Sequence, residues 1–246
     1  METPAGGGVR PLSTVLHTLD LLRNLAESER PLRLSEIAQR NALSRPTAYQ
    51  RLLTLVEAGF LEVDDDQRYR LSLFAAQLAQ AAMQQAGIGP RTEPVMAELM
   101  RTTGETVSLA MLEQSGVRIV ARVETNMLLR VDQKVGSQLD LAGSASGRVL
   151  CAFASAHELA LLKDAGQPLP EAAVLGKTRA EGYALSSGYS LSGVVGIAAP
   201  VFGPGQRCLA ALSLVVPEKR YELEPILAPL KAAAERLSTI FKGGKA

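Results

Sequence analysis

Apolar residues in the first quarter of the chain recur at helical spacing and then switch to alternation. Val15, Leu16, Leu19, Leu22 and Leu25 form one apolar stripe, so a helix is expected from Ser13, ended by "ESERP". A short second helix is expected over "LSEIAQR", with Ser35 as its N-cap and Ile37 and Ala38 facing inward. After the tight connection "NAL", a third helix should run from Arg45 to about Ala58, because Leu43, Ala48, Leu52 and Leu55 keep the helical period. Gly59 stops it in the C′ position. Pro46 then falls in the first turn, where backbone N–H groups have no intrahelical partner, and with Ser44 as N-cap it fixes the start of the helix. Phe60 to Val63 and Tyr69 to Leu71 alternate around the polar turn "DDDQ", which reads as a hairpin. Helix, short helix, tight turn, helix and hairpin is the order of a winged helix-turn-helix.

The stretch "LSLFAAQLAQAAMQQAG" is an alanine-rich helix suited to a linker or a dimer seam. Beyond Pro90 the pattern changes. "TEPVMAELMRTTG" reads as a helix, and "TVSLAML", "RIVARVE" and "LLRVD" as consecutive strands. "SASGRVLCAFA" reads as helical, "GVVGIAAPVF" and "RCLAALSLVV" as strands joined by "GPGQ", and "PILAPLKAAAERLSTIFK" as a final helix. Strands bracketed by helices point to an α+β, sensor-like domain. The expected layout is a disordered tail over 1–10, a winged helix-turn-helix DNA-binding domain over 11–73, a linker helix over 74–90 and an effector-binding and oligomerisation domain over 91–246.

Length and composition narrow the picture. A chain of 246 residues fits two domains, and 47% hydrophobic with 21% charged residues is an ordinary globular balance. Two cysteines, Cys151 and Cys208, do not make a disulfide framework, and buried thiols are the favoured reading. The start "METPAGGGVRP" lacks the apolar run of a signal peptide, and no window approaches ~20 apolar residues, so a cytoplasmic protein without a membrane span is expected. No tryptophan and few aromatics argue against a stacking surface for single-stranded nucleic acid. No metal-type spacing joins His17 or His157 to the cysteines or carboxylates, and no cofactor is expected.

The net charge of +1 gives no global signal for nucleic acid. From Met1 to Phe74 there are nine arginines, no lysines and ten acidic residues, yet between Arg30 and Phe60 five arginines face two glutamates. The basic charge is local to the proposed reading surface. In a helix-turn-helix the start of the second helix meets the bases, which here presents Arg45, Pro46, Thr47, Tyr49, Gln50 and Arg51, behind the cap Ser44. Arginine can hold guanine bidentately, glutamine can read adenine and a threonine methyl can touch thymine. Arg33, Ser35 and Arg40 are candidate phosphate contacts, and Arg68 can reach the backbone from the wing. So little net charge makes a single copy a weak binder, and dimerisation is expected. The competing reading is a protein-interaction winged helix; turn, helix start and wing all favour DNA.

At these residues the chain resembles the IclR family of bacterial transcription regulators. "ALSRPTAYQRLLTLVEAGFLE…RYRL" is similar to its winged helix, and "TGETVSLAML", "EGYALSSG…GVVGIAAPV" and "LAALSLVVP" match its effector domain in order and spacing, from about Ser13 to Phe241. The resemblance implies a C-terminal α/β domain of GAF-like or profilin-like fold that binds a small organic or aromatic acid. It also implies dimers or tetramers on palindromic operators, more often repressing than activating. Carried over residue by residue, Leu128 to Val131 supply an apolar wall of the pocket. Ala145 and Ser146 at a helix start offer N–H groups that suit a carboxylate. Ser186, Val194, Gly196 and Ser213 complete the implied site. The chain departs from the family pattern at Ala142, where many members carry histidine, at "LSSG" (185–188), where an acidic run is common, and at Gly196, where some have cysteine. The implied pocket is less acidic and more neutral, which puts a metal-assisted version in doubt. The rival class is an enzyme or metabolite carrier with an accessory winged helix. It needs a nucleophile, an acid–base pair or a cofactor loop. "SASG" lacks the G-x-S-x-G pattern, and "GPGQ" lacks P-loop spacing and its lysine.

Overall fold

A computed structural model describes residues 10–28, 30–85, 88–113, 116–125, 133–187 and 193–243. It divides into two compact units, one running to Met83 and the other starting at Gln84.

The first unit contains α1 (Ser13–Ala26), β1 (Leu32–Arg33), α2 (Leu34–Arg40), α3 (Arg45–Glu57), β2 (Leu61–Val63), β3 (Arg68–Leu71) and most of α4 (Leu73–Gln85). Its antiparallel sheet has the order β1-β3-β2. Leu21, Leu25, Leu32, Ile37, Leu52, Leu55, Leu61 and Tyr69 form its core. Two expectations are corrected. Helix α2 spans the expected residues, but its N-cap is Arg33, two residues before Ser35, which lies inside the first turn. Glu36 Oε2 accepts the Arg33 N–H at 2.8 Å, so the carboxylate three residues into the turn does the capping. The apolar stripe of α1 also divides. Leu25 is buried together with Leu21, whereas Val15 and Leu16 are 49% exposed and Leu19 40%.

The second unit contains α5 (Glu93–Thr103), β4 (Thr106–Glu113), β5 (Gly116–Val123), β6 (Gln138–Leu139), α6 (Ala145–Phe153), α7 (Ala156–Asp164), α8 (Ala172–Glu181), β7 (Ala184–Ser187), β8 (Val194–Phe202), β9 (Cys208–Pro217) and α9 (Leu223–Phe241). The sheet is antiparallel throughout, in the order β6-β5-β4-β9-β8-β7. One face carries α6 and α8 over Ala110, Ala198 and Ala211. By strand alternation the buried Leu109, Ile197, Leu212 and Leu214 face the other way, where α9 packs with α5. Helices α7 and α8 are additions to the expected order. α7 starts on a capping box, Ser155 with Glu158, and α8 ends on Gly182 at φ +70°. The expected strand "LLRVD" (128–132) lies outside the described residues.

Candidate functional site

The recognition helix α3 is fixed at both ends. Ser44 Oγ accepts the Thr47 N–H at 3.3 Å and lies 2.7 Å from Thr47 Oγ1. At the other end Phe60 N–H donates to Leu55 O and Gly59 N–H to Val56 O, both at 2.9 Å, which closes a Schellman motif around Gly59. The turn before the helix is tied by Leu43 N–H on Ala38 O at 2.9 Å. It is also tied by Asn41, whose Nδ2 donates to Ile37 O at 2.8 Å and whose Oδ1 accepts Asn24 Nδ2 at 2.7 Å. Neither asparagine stood out in the sequence, because their partners lie in different elements.

On this frame Ser44, Arg45, Pro46, Tyr49 and Gln50 are exposed, and Thr47 and Arg51 are half-buried. Thr47, Gln50 and Arg51 also edge a groove beside Val15 and Leu19 of α1, so they lie toward one flank of the helix. Ser35 and Arg40 are exposed on α2. In the wing, Arg33 and Arg68 are direct cross-strand partners. Like charges so placed repel unless an anion bridges them, and Arg68 Nε is buried with no hydrogen-bond partner. The neighbouring arginines are engaged: Arg70 pairs with Glu62 at 3.0 Å and Arg30 with Glu36 at 2.6 Å. The Arg30 hydrogen bond, with the Arg33 N–H, holds the Glu36 carboxyl down to about 2.

The second unit carries a partly open cavity of about 50 Å³ between the sheet and the start of α6. Ser108 of β4 faces Ser213 of β9, and Ser186 of β7 faces Gly196 of β8, so strand register brings distant residues to one floor. Ala145, Ser146 and Val194 also line it. Ser108 and Ser146 are 3% exposed, Ser213 6% and Ser186 8%. Ser213 Oγ donates to Ser108 O at 3.3 Å, while Ser108 Oγ is buried without a partner. Helix α6 is capped by Ser144, whose Oγ accepts the Gly147 N–H at 2.9 Å. The Ala145 and Ser146 N–H groups therefore head the helix with no intrahelical acceptor, at its positive end.

Two residues hold this geometry. A Cβ at Gly147 would lie 2.4 Å from Asp140 O and 2.5 Å from Leu141 O, so only glycine lets that segment pass close to the helix. Arg148 donates through Nε to Ala142 O at 2.8 Å and through Nη1 to Leu185 O, tying the approach to α6 to the strand that carries Ser186. Ser108, Ser144 and Arg148 were not among the expected site residues; the alternation in "TVSLAML" put Ser108 on one face without saying which face held a cavity. Leu128 and Val131 lie outside the described residues. Cys151 and Cys208 are free thiols whose burial pushes each up to about 12, which makes them poor nucleophiles at neutral pH. Among the described residues no group of three His, Cys, Asp or Glu is placed to hold a metal, and no helix is long and apolar enough to cross a membrane.

A winged helix with an exposed, doubly capped recognition helix, followed by a separate domain with a polar cavity, defines a DNA-binding regulator with a sensing domain. Comparison with known proteins gives the family. Residues 14–65 match the IclR helix-turn-helix domain, and residues 80–239 match the bacterial transcriptional regulator IclR C-terminal domain. The chain is 31% identical to the HTH-type transcriptional regulator BhcR of Paracoccus denitrificans, covering 94% of this chain and 91% of that protein. It is 32% identical to the glycerol operon regulatory protein of Streptomyces coelicolor, covering 92% and 93%. An IclR homologue from Microbacterium hydrocarbonoxydans, solved in complex with 4-hydroxybenzoate, superposes with a TM-score of 0.78 at 25% identity, covering 94% of this chain and all of that one (100%). The chain belongs to the IclR family: it is a DNA-binding transcriptional regulator with a C-terminal effector-binding domain.

Proposed function

We propose that the chain acts in the cytoplasm as a repressor of a catabolic operon, that paired copies bind a palindromic operator, and that a small organic or aromatic acid in the cavity alters that binding. The carrying observation is the convergence of buried serine hydroxyls on the capped start of α6, where N–H groups and the helix dipole suit an anion. Of the expected pocket residues, Ala145, Ser146, Ser186, Val194, Gly196 and Ser213 line that one cavity. Arg45, Thr47, Tyr49, Gln50 and Arg51 read the bases from α3, with Pro46 and Ser44 setting the helix start. Arg33, Ser35, Arg40 and Arg68 hold phosphates. The exposed part of the α1 stripe supports self-association, since an apolar strip of this kind is normally covered. An effector that prefers one conformation of the sensing domain shifts the spacing of paired recognition helices through α4.

The test is a gel shift against the intergenic DNA upstream of the protein's own gene, with and without ligands from a thermal-shift screen of aromatic and short-chain acids. Retardation at low salt that a screened acid alters is the expected result. No retardation at low salt overturns the operator reading. The rival reading, an enzyme with an accessory winged helix, has no observation in its favour, and the relatives described above are regulators.

A further inference from the structure

We infer that Arg10 is a further DNA contact: its guanidinium enters the minor groove next to the major-groove segment read by α3 and prefers A·T pairs there. This rests on the proposed assignment of α3 as the reading helix and extends it to the residues before α1. Position is the first argument. Thr14, Val15 and Thr18 of α1 line one groove with Thr47, Gln50 and Arg51 of α3. The start of α1 thus stands beside the base-reading start of α3, and Arg10 lies three residues before Ser13, where α1 begins. Three extended residues span roughly 10 Å, against a major groove about 12 Å wide. From there the arginine side chain reaches across the phosphate strand that bounds the groove.

Charge is the second argument. The first unit is slightly acidic as a whole, yet no Asp or Glu stands between Glu2 and Asp20. Arg10 is exposed, and among the described residues no carboxylate pairs with it. Asp20, the first acid on α1, is paired with Arg23 at 3.4 Å. The Arg10 guanidinium is therefore left to water at an acid-free end of the domain, unlike Arg30 and Arg70, which carboxylates hold.

Shape and hydrogen-bonding chemistry select the minor groove over the phosphates. Pro11 restricts Arg10 to extended backbone, and the residues ahead of it, Gly6, Gly7, Gly8 and Val9, carry little side chain. So thin a segment fits a groove about 6 Å wide. An A·T pair shows only acceptors there, whereas a G·C pair adds the guanine N2 donor. Arginine has N–H donors and no acceptor, so it gains hydrogen bonds on A·T and meets a like donor on G·C. A·T-rich tracts also narrow the groove and strengthen its negative potential. Arg10 thereby reads base pairs that α3 does not touch.

The test is dimethyl sulfate footprinting of the full chain on the intergenic DNA upstream of its own gene. The reagent methylates guanine N7 in the major groove and adenine N3 in the minor groove. The wild type is expected to protect adenine N3 positions beside the guanine N7 positions covered by α3. Arg10→Ala should lose the N3 protection and keep the N7 protection, with Tm unchanged, affinity about tenfold lower and the slope of log K against log salt reduced by about one. If the wild type protects no adenine N3, or if Arg10→Ala protects it equally, the inference is overturned while the assignment of α3 stands. A reduced slope with N3 protection intact puts Arg10 on a phosphate and equally overturns it. If the wild type does not bind this DNA at all, the operator reading falls and the inference falls with it.

Discussion

The two units treat their polar groups in opposite ways. On the reading surface of the first unit, Arg45, Tyr49 and Gln50 stay in water, and nearby arginines such as Arg30 and Arg70 already hold carboxylates. Around the cavity of the second, serines are dehydrated, uncharged and in one case unpartnered. The first arrangement stakes little on the free protein and meets a long anionic partner through many solvated contacts. The second places dehydrated donors in fixed positions, where a misfitting ligand loses more than a fitting one gains. Range of contact suits an operator; discrimination suits a metabolite.

The contrast can be broken most forcefully at the reading surface. Arg45→Ala with Gln50→Ala removes two proposed base contacts, each of a kind worth roughly 1–3 kcal/mol. Operator affinity measured by fluorescence anisotropy should fall at least tenfold, with ligand affinity unchanged; unchanged operator affinity would falsify the assignment of α3. Next is Gly147→Ala. The new methyl meets backbone oxygens at 2.4 and 2.5 Å that cannot yield cheaply, so about 1–3 kcal/mol of stability should be lost. A Tm drop with operator binding intact at low temperature is expected, and an unchanged Tm would show that the 140–141 segment moves freely. Arg68→Ala should weaken binding to all sequences alike and reduce the slope of log K against log salt by about one. An unaltered slope would place Arg68 off the phosphates. The smallest effect is acid-dependent. Glu36 is held at about 2, below the ordinary 4.5, so its contribution to stability is full above 4.5 and fades as pH falls toward 2. The Tm difference between wild type and Glu36→Gln should shrink across that window; a constant difference would detach the carboxylate from α2 capping.

The same contrast explains what could be read from sequence. The winged helix was legible because its signals are local: Ser44, Pro46 and Gly59 act within a turn of where they stand. The Ser35 cap misled because Glu36 reaches back to Arg33, which places the N-cap two residues earlier. Helix α8 was missed because its sequence, "AAVLGKTRAE", offers no apolar stripe and buries only Leu175 and Thr178. In the second unit the resemblance led to six cavity residues, but not to Ser108. Its place depends on register with Ser213, 105 positions away, and no local pattern encodes that.

The close approach of Ser186 Oγ to Gly196, 2.6 Å from where a Cβ would stand, has a consequence in the language of codons. A single nucleotide change turns a glycine codon into alanine, and some glycine codons into serine or cysteine. Each of these adds a side chain where the Ser186 hydroxyl now lies. On the proposed reading of this cavity as the effector site, its lining can thus be redrawn in one mutational step, at a position remote in sequence from the residues proposed to read the operator. On that reading, duplicated copies of the gene have a short path to answering different metabolites while still recognising the same promoter.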